Sequence, residues 1–278
     1  MTSISGSTLT VGVIGSPVRH SLSPRLHNAA FEALGFDARS LAFPVDPGNG
    51  AAAVDAMRTL GIRGLSVTMP HKEAVFAAAD HRSPAAEVLA AANCLVNDDG
   101  VVTAHNTDGD GFVRSLDVEH GFGLAGRRAV VLGAGGAARS VIDAIGRAGA
   151  ADVAVVNRTS ERAAAAAAVG GRAARIGRLD DVAEADLVVN ATSLGMEPSD
   201  ALPVRPELLG PHQLVVDLIY RPATTALLSA AAERGATGAN GVAMLLHQAA
   251  IQLELWTGEP APIAAMRAAV QPELDAHA

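Results

Sequence analysis

Arg128-Ala129-Val130-Val131-Leu132-Gly133-Ala134-Gly135-Gly136-Ala137-Ala138 is the stretch on which the fold turns. The apolar run up to Leu132 has the length and composition of a buried strand. Gly133, Gly135 and Ala138 then fit the spacing G-x-G-x-x-G/A, and a helix follows to about Gly149. A glycine-rich turn occurs in many α/β proteins, but a strand before it and a helix after it give this spacing a specific meaning. The first glycine permits a tight turn, and the second lets backbone approach a pyrophosphate. The small residue at Ala138 lets the helix lie close on the strand, and the helix N-terminus attracts the anion.

The next strand, Asp152 to Val156, bears on which dinucleotide is bound. A chain that holds the plain ribose hydroxyls usually ends this strand in Asp or Glu. Here it runs into Asn157-Arg158-Thr159-Ser160-Glu161-Arg162. Arg158 can stack on adenine and meet a 2′-phosphate, Thr159 can donate a hydrogen bond to it, and Arg162 lies one helical turn further on. NADP(H) is therefore expected rather than NAD.

Further strands are expected at Asp186 to Asn190 and Leu214 to Leu218, and helices at Thr224 to Arg234 and Met244 to Leu255. A similar alternation precedes the fingerprint. Leu9 to Gly15 reads as a strand. Ser23-Pro24 opens a helix, with Ser23 as its N-cap and Pro24 in the first turn. A strand at about Ser40 to Val45, a helix over Gly50 to Leu60 and a short strand Gly64 to Thr68 follow. The strand runs into Met69-Pro70 and a helix with Lys72 in its first turn. The alternation indicates an α/β fold with mostly parallel sheets.

Length and composition agree. At about 150 residues per domain, 278 residues point to two domains. Aromatics make up 3%, so Ala, Val, Leu and Ile must fill the core. The net charge of −8 argues against a nucleic-acid partner or a polybasic membrane surface. Cys94 is the only cysteine, which excludes an internal disulfide, and no metal site is expected. Neither a signal-peptide pattern at the N-terminus nor an apolar run long enough to span a bilayer is evident, so a cytoplasmic protein is expected.

Of the 21 basic residues, only Lys72 is lysine. Arginine is always protonated, whereas lysine can release a proton, which suits Lys72 to general acid/base chemistry beside a reacting oxygen. Asp108, in Asn106-Thr107-Asp108, is a candidate carboxylate partner. Periodicity alone does not pair the two, and a lone loop Asp is commonly a helix cap.

From near its N-terminus to about residue 262 the chain resembles the shikimate dehydrogenase family. The resemblance rests on an ordered series: His20-Ser21-Leu22-Ser23-Pro24 with His27-Asn28; Val67-Thr68-Met69-Pro70-His71-Lys72; Asn93; Asn106-Thr107-Asp108; Gly133 to Ala137; Asn157-Arg158-Thr159; Asn190-Ala191-Thr192-Ser193-Leu194-Gly195-Met196; Asp217 to Tyr220 with Pro222; Gly241 to Met244, Gln248 and Trp256-Thr257-Gly258. It implies reversible NADPH-dependent reduction of 3-dehydroshikimate to shikimate, a step towards chorismate and the aromatic amino acids. It also implies that Ser21 and Ser23 bind the substrate carboxylate. Thr68, Lys72, Asn93, Asp108 and Gln248 would hold ring hydroxyls, Tyr220 would line the site, and Lys72 with Asp108 would form the catalytic dyad. Cofactor contacts are implied at Gly133, Ala134, Gly135, Gly136, Ala137, Asn157, Arg158, Thr159, Arg162, Thr192, Ser193, Leu218 and Gly241.

Trp256 reads as a structural anchor for its helix. The chain departs from the family at Ser66, where Asn is usual, and at Ala92 and Cys94, where Val and Thr are usual. Ser66 makes fewer hydrogen bonds than Asn. The expected architecture is a discontinuous substrate domain, residues 1–106 plus 242–278, and a Rossmann-like NADP domain, 107–241, with a cleft between them. The substrate is a small molecule, and the protein is a monomer or homodimer. Quinate/shikimate or aminoshikimate dehydrogenase is the nearest alternative activity, and a non-enzymatic NADP sensor the alternative from another class.

Overall fold

Alternating apolar strands and amphipathic helices build two sheets in the computed structural model, which describes residues 4–197 and 199–275. The chain divides into two compact units, one running to Thr107 and resuming over Leu246–Pro272, the other covering Asp108–Leu245 and resuming at Glu273. The sequence reading places the boundaries at 106/107 and 241/242 with everything from 242 onward in the first unit, whereas here residues 242–245 and those from Glu273 group with the second. Thr107 groups with the first unit because its side chain and backbone bond to Asn93 there.

The first unit holds β1 (Leu9–Gly15), α1 (Ser23–Leu34), β2 (Ala38–Pro44), α2 (Gly50–Thr59), β3 (Gly64–Val67), α3 (Lys72–Ala78), β4 (His81–Arg82), α4 (Pro84–Leu89), β5 (Cys94–Asp98) and β6 (Val101–His105). Its six strands are ordered β2-β1-β3-β5-β6-β4. The pairs β1–β2 and β1–β3 are parallel, and β5 turns antiparallel to both β3 and β6. That β5–β6 hairpin is absent from the sequence reading. Ile14, Leu65, Val67, Leu95, Val102 and Ala104 from the sheet pack on Val54 and Met57 of α2 and Val75 of α3. Burying each of these side chains fully, Ala104 apart, is worth about 1.5–3 kcal/mol.

The second unit holds α5 (Asp108–His120), β7 (Arg128–Leu132), α6 (Gly136–Arg147), β8 (Asp152–Val156), α7 (Ser160–Val169), β9 (Ala174–Ile176), β10 (Leu187–Asn190), β11 (Leu214–Asp217), α8 (Ala226–Glu233) and β12 (Thr237–Ala239). All of its strands run parallel, in the order β12-β11-β10-β7-β8-β9. Counted within the unit this is 3-2-1-4-5-6, the doubly wound dinucleotide-binding order, with its switch point between β7 and β10. Both faces are covered, so the strands are apolar nearly throughout, as in Val130-Val131-Leu132 and Leu187-Val188-Val189. α6 buries Ala138, Val141, Ile142 and Ile145 on one stripe. Phe112 is the one aromatic among the buried residues of the unit's two core clusters, so aliphatic side chains do fill this core.

α9 (Val242–Thr257) begins in the second unit and belongs to the first from Leu246, and α10 (Ile263–Asp275) follows it. Trp256 is buried, and its indole N–H donates to the Leu95 carbonyl at 3.0 Å. A Cβ on Gly64 would overlap its ring. Trp256 thus anchors α9 to the sheet. Among the described residues, no helix is long and apolar enough to cross a membrane.

Candidate active site

In the first unit the candidate residues gather after the C-terminal ends of β1 and β3, where ligands bind in α/β sheets. The two following loops are laced together. Thr68 N–H donates to the Ile14 carbonyl at 3.0 Å, and Ser16 N–H to the Met69 carbonyl at 3.0 Å. Gly15 must be glycine here, because a Cβ would lie 2.5 Å from Thr68 Cγ2. The Ser16–Pro17 and Met69–Pro70 peptide bonds are cis.

Ser23 is not the N-cap of α1. Leu22 occupies that place, without a side-chain bond, and Ser23 and Pro24 form the first helical positions. Ser21 Oγ instead accepts the Ser23 N–H at 3.3 Å. One serine therefore shapes the turn that presents the other.

Lys72 is the first residue of α3 and is half-buried. Its neighbour His71 is buried, with Nε2 2.8 Å from the Val45 carbonyl oxygen. The Lys72 carbonyl accepts the Ala92 N–H at 2.9 Å, which fixes the helix start beside Asn93.

Asn93 and Gln248 come together around two residues that the sequence reading leaves without a role. Asn93 Nδ2 donates to Thr107 Oγ1 at 3.0 Å, and its Oδ1 accepts the Thr107 N–H at 2.7 Å. Thr107 Oγ1 lies 3.2 Å from the Gln248 carbonyl. Gln252 is fully buried, and its Nε2 donates to Gln248 Oε1 at 2.9 Å and to the Asn93 carbonyl at 3.2 Å. The available signal is two amides four residues apart on an apolar helix. The departures Ser66 and Cys94 are direct partners across β3 and β5, and both are buried. Burial pushes the Cys94 thiol pKa up, so the thiol stays protonated.

Asp108 follows Thr107 directly but opens α5 of the second unit, so it is not the loop residue the sequence suggests. Gly109 lets α5 lie close on α6, since a Cβ there would overlap the Ser140 carbonyl. Tyr220 also belongs to the second unit and is half-buried.

The fingerprint turn lies at the β7/β10 switch point. Gly133 has φ +112°, and a Cβ on it would lie 2.9 Å from the Ala191 carbonyl oxygen and 3.2 Å from Thr192 Cγ2. Gly135 is the N-cap of α6, and a Cβ on Gly135 or Gly136 would meet nothing within 4 Å, so Ala134 to Ala137 turn round open space. Ala138 is fully buried against the core, as the motif requires. Beyond β8, Asn157 Nδ2 donates to the Thr159 carbonyl at 3.0 Å. Arg158, Thr159 and Arg162 are exposed, and neither arginine has an ion-pair partner among the described residues. Thr192 is half-buried and Ser193 exposed. Gly241 accommodates the Leu218 carbonyl where a side chain would clash. No group of three His, Cys, Asp or Glu among the described residues is placed to hold a metal.

A glycine fingerprint at the switch point of a six-stranded parallel sheet, in one chain with a second α/β unit that carries a buried amide and hydroxyl cluster, defines a two-domain dinucleotide-binding protein. Comparison with known proteins gives the family. The shikimate dehydrogenase substrate binding domain matches residues 13–95, shikimate/quinate 5-dehydrogenase matches 117–197, and the shikimate 5′-dehydrogenase C-terminal domain matches 241–271. The shikimate dehydrogenase (NADP(+)) of Moorella thermoacetica is 47% identical over 277 residues, covering 96% of this chain and 94% of the relative. A crystal structure of shikimate dehydrogenase in complex with NADP+ superposes with a TM-score of 0.91 at 35% identity, covering 98% of both chains. The Thermus thermophilus enzyme, solved with NADP(H) and shikimate, gives 0.88 at 38% identity over 95% of this chain and 99% of its own. The chain belongs to the shikimate dehydrogenase (NADP+) family.

Proposed function

We propose that this chain catalyses the reversible NADPH-dependent reduction of 3-dehydroshikimate to shikimate, acting in the cytoplasm as a monomer or homodimer on a small-molecule substrate. The observation that carries the reading is the pairing of two features in one chain. A fingerprint turn at the sheet's switch point is followed by Arg158 where an acid would read plain ribose. The other unit gathers hydroxyls and amides beside a lysine.

In the reductive direction the bound dinucleotide supplies a hydride to the ring carbonyl carbon. The Lys72 ammonium gives its proton to the carbonyl oxygen as that oxygen takes up charge, so one hydride and one proton make the alcohol. Asp108 orients the ammonium and balances its charge. The Ser21 and Ser23 hydroxyls donate to the substrate carboxylate. Thr68, Asn93 and Gln248 hold the ring hydroxyls, and Tyr220 lines the site. Thr107 and Gln252 hold the two amides in one orientation, which spares the substrate the entropic cost of ordering them. Gly133 to Ala137 receive the pyrophosphate at the N-terminus of α6, and Arg158 and Thr159 take the 2′-phosphate, with Arg162 adding charge. Thr192, Ser193, Leu218 and Gly241 border the rest of the cofactor. The residues at both places fit NADP(H) in the chemistry of their donors.

Steady-state kinetics with shikimate and quinate, each with NADP and NAD, test the reading. Shikimate with NADP is expected to give the highest kcat/KM. A higher value for quinate with NAD would assign the chain to the alternative activity. NADPH binding without turnover of any of these substrates would leave a cofactor-sensing protein.

A further inference from the structure

One buried acid takes no part in the proposed reaction. Asp217 ends β11 after Leu214, Val215 and Val216, and it is fully buried. Burial raises its pKa, against the pull of three donors. Asp217 Oδ1 accepts the Ile219 N–H at 3.1 Å and Asn190 Nδ2 at 3.0 Å, and its Oδ2 accepts the Thr225 hydroxyl at 2.7 Å. Thr225 caps α8, its Oγ1 accepting the Leu228 N–H at 3.3 Å. Asn190, at the end of β10, uses its remaining groups on the next loop. Its Oδ1 accepts the Thr192 N–H at 3.1 Å and hydroxyl at 2.7 Å, and its Nδ2 also donates to the Leu194 carbonyl at 3.0 Å.

Stability alone does not account for such an arrangement. A carboxylate is costly to bury, and apolar residues would join two strand ends at lower cost. A fully bonded polar network does impose a single loop conformation. The loop it imposes, Ala191 to Leu194, borders the fingerprint turn, since a Cβ on Gly133 would meet Ala191 and Thr192. In this fold β7–β9 and β10–β12 are two mononucleotide-binding halves. The network lies wholly in the second half, whereas Arg158 follows β8 in the first.

We propose that Asp217 and Asn190 are positioning residues for the second mononucleotide of the cofactor, the half that carries the hydride-transferring ring. They hold the Thr192–Leu194 loop and the backbone at Ile219 in the arrangement that receives it. The proposal rests on the NADP reading, and a half-ligand separates the two. Adenosine 2′,5′-bisphosphate occupies the first half only. With several bonds to the loop lost, Asn190→Ala is expected to raise the Kd for NADPH by roughly tenfold. The Kd for adenosine 2′,5′-bisphosphate should stay within about twofold of the parent value, because its half of the sheet is untouched. Thr225→Val removes one donor to Asp217 outside the loop. It should show the same split at about threefold, which keeps the test open if Asn190→Ala does not fold. Equal losses for both ligands, or an unchanged NADPH affinity in either folded variant, would overturn the proposal. A parent protein that binds neither ligand would remove the NADP reading and this proposal with it.

Discussion

Thr68 and Gly133 occupy matching places in the two units, each directly after a parallel strand and beside the loop of a neighbouring strand. At Thr68 the side chain contributes to the candidate site. At Gly133 any side chain would strike Ala191. On the proposed function the first unit would work through side chains, with hydroxyls and amides held in register by buried partners such as Thr107 and Gln252. The second would work mainly through backbone, with a turn of positive φ, a helix N-terminus and two exposed arginines at the next strand. The contrast follows from the ligands the two units fit. A compact ring with several hydroxyls needs donors and acceptors aimed from many directions. A pyrophosphate needs close N–H groups and positive potential.

The largest effect that this division predicts lies in the first unit. Lys72→Ala is expected to lower kcat by about 100-fold or more with only a modest change in the KM for shikimate. Steady-state kinetics check this, and an equally active variant would remove Lys72 from the mechanism. Next comes the leading side chain proposed to read the cofactor in the second unit. Arg158→Ala should raise the Kd for NADPH about tenfold or more and that for NADH far less, because only the former has the 2′-phosphate. Similar losses for both cofactors would show that Arg158 reads nothing specific. A smaller effect is expected from Ser21→Ala combined with Ser23→Ala. Loss of two neutral donors to a carboxylate should raise the shikimate KM by roughly tenfold with kcat little changed, and an unchanged KM would exclude the carboxylate role.

The smallest effect concerns acid stability. Asp181, Asp186 and Asp200 of the second unit are held below the ordinary carboxylate range, chiefly by the Arg175 side chain, the Arg128 N–H, and the Glu197 and Gly195 N–H groups respectively. In the first unit Asp80 is held down by the Val102 N–H and then by Arg58. A lowered folded-state pKa gives stability that is present above the ordinary carboxylate range and lost as pH falls through the lowered value. Asp217 has the opposite sign. Its raised pKa favours the fold at low pH and weakens it as pH rises, so it offsets part of the loss. In the first unit, however, burial lowers the His27 pKa from 6.5 to about 3 and lowers that of His105 as well, so the unfolded chain takes up protons that the fold excludes once pH falls below the ordinary histidine range, and the first unit should open first. Hydrogen exchange followed at falling pH would show this, and earlier opening of the second unit would reverse the comparison.

Much of the fold and site is legible along the chain because the signals are local. Strand, turn and helix are contiguous at Arg128 to Arg147, so the fingerprint carries its own context. Arg158 stands one residue past the next strand's neighbour Asn157, where spacing alone identifies it. Lys72 stands out by composition, and the ordered motifs point to one family. Where the sequence reading fails, residue type is a weak guide to backbone geometry. Ser23 reads as a cap because its residue type suits one, but Ser21 and Leu22 decide where α1 begins. The β5–β6 hairpin has a local signal in Asp99-Gly100, both at positive φ as a two-residue turn requires, but the flanking runs lack the clear alternation that would mark them as strands.

The chain's local chemistry is enough to specify the alternation of elements, the phosphate turn and the candidate acid/base residue, because each depends on neighbours within a turn or two. The strand order that creates the switch point depends on contacts made across many residues. So do the Asn93–Thr107–Gln248–Gln252 cluster, drawn from segments up to 159 residues apart, and the bonds of Asp217 to Asn190, 27 residues away. A buried amide or carboxylate reads the same in sequence whether or not it is satisfied. Packing alone supplies its partners, and those partners determine which side chains are held still enough to bind.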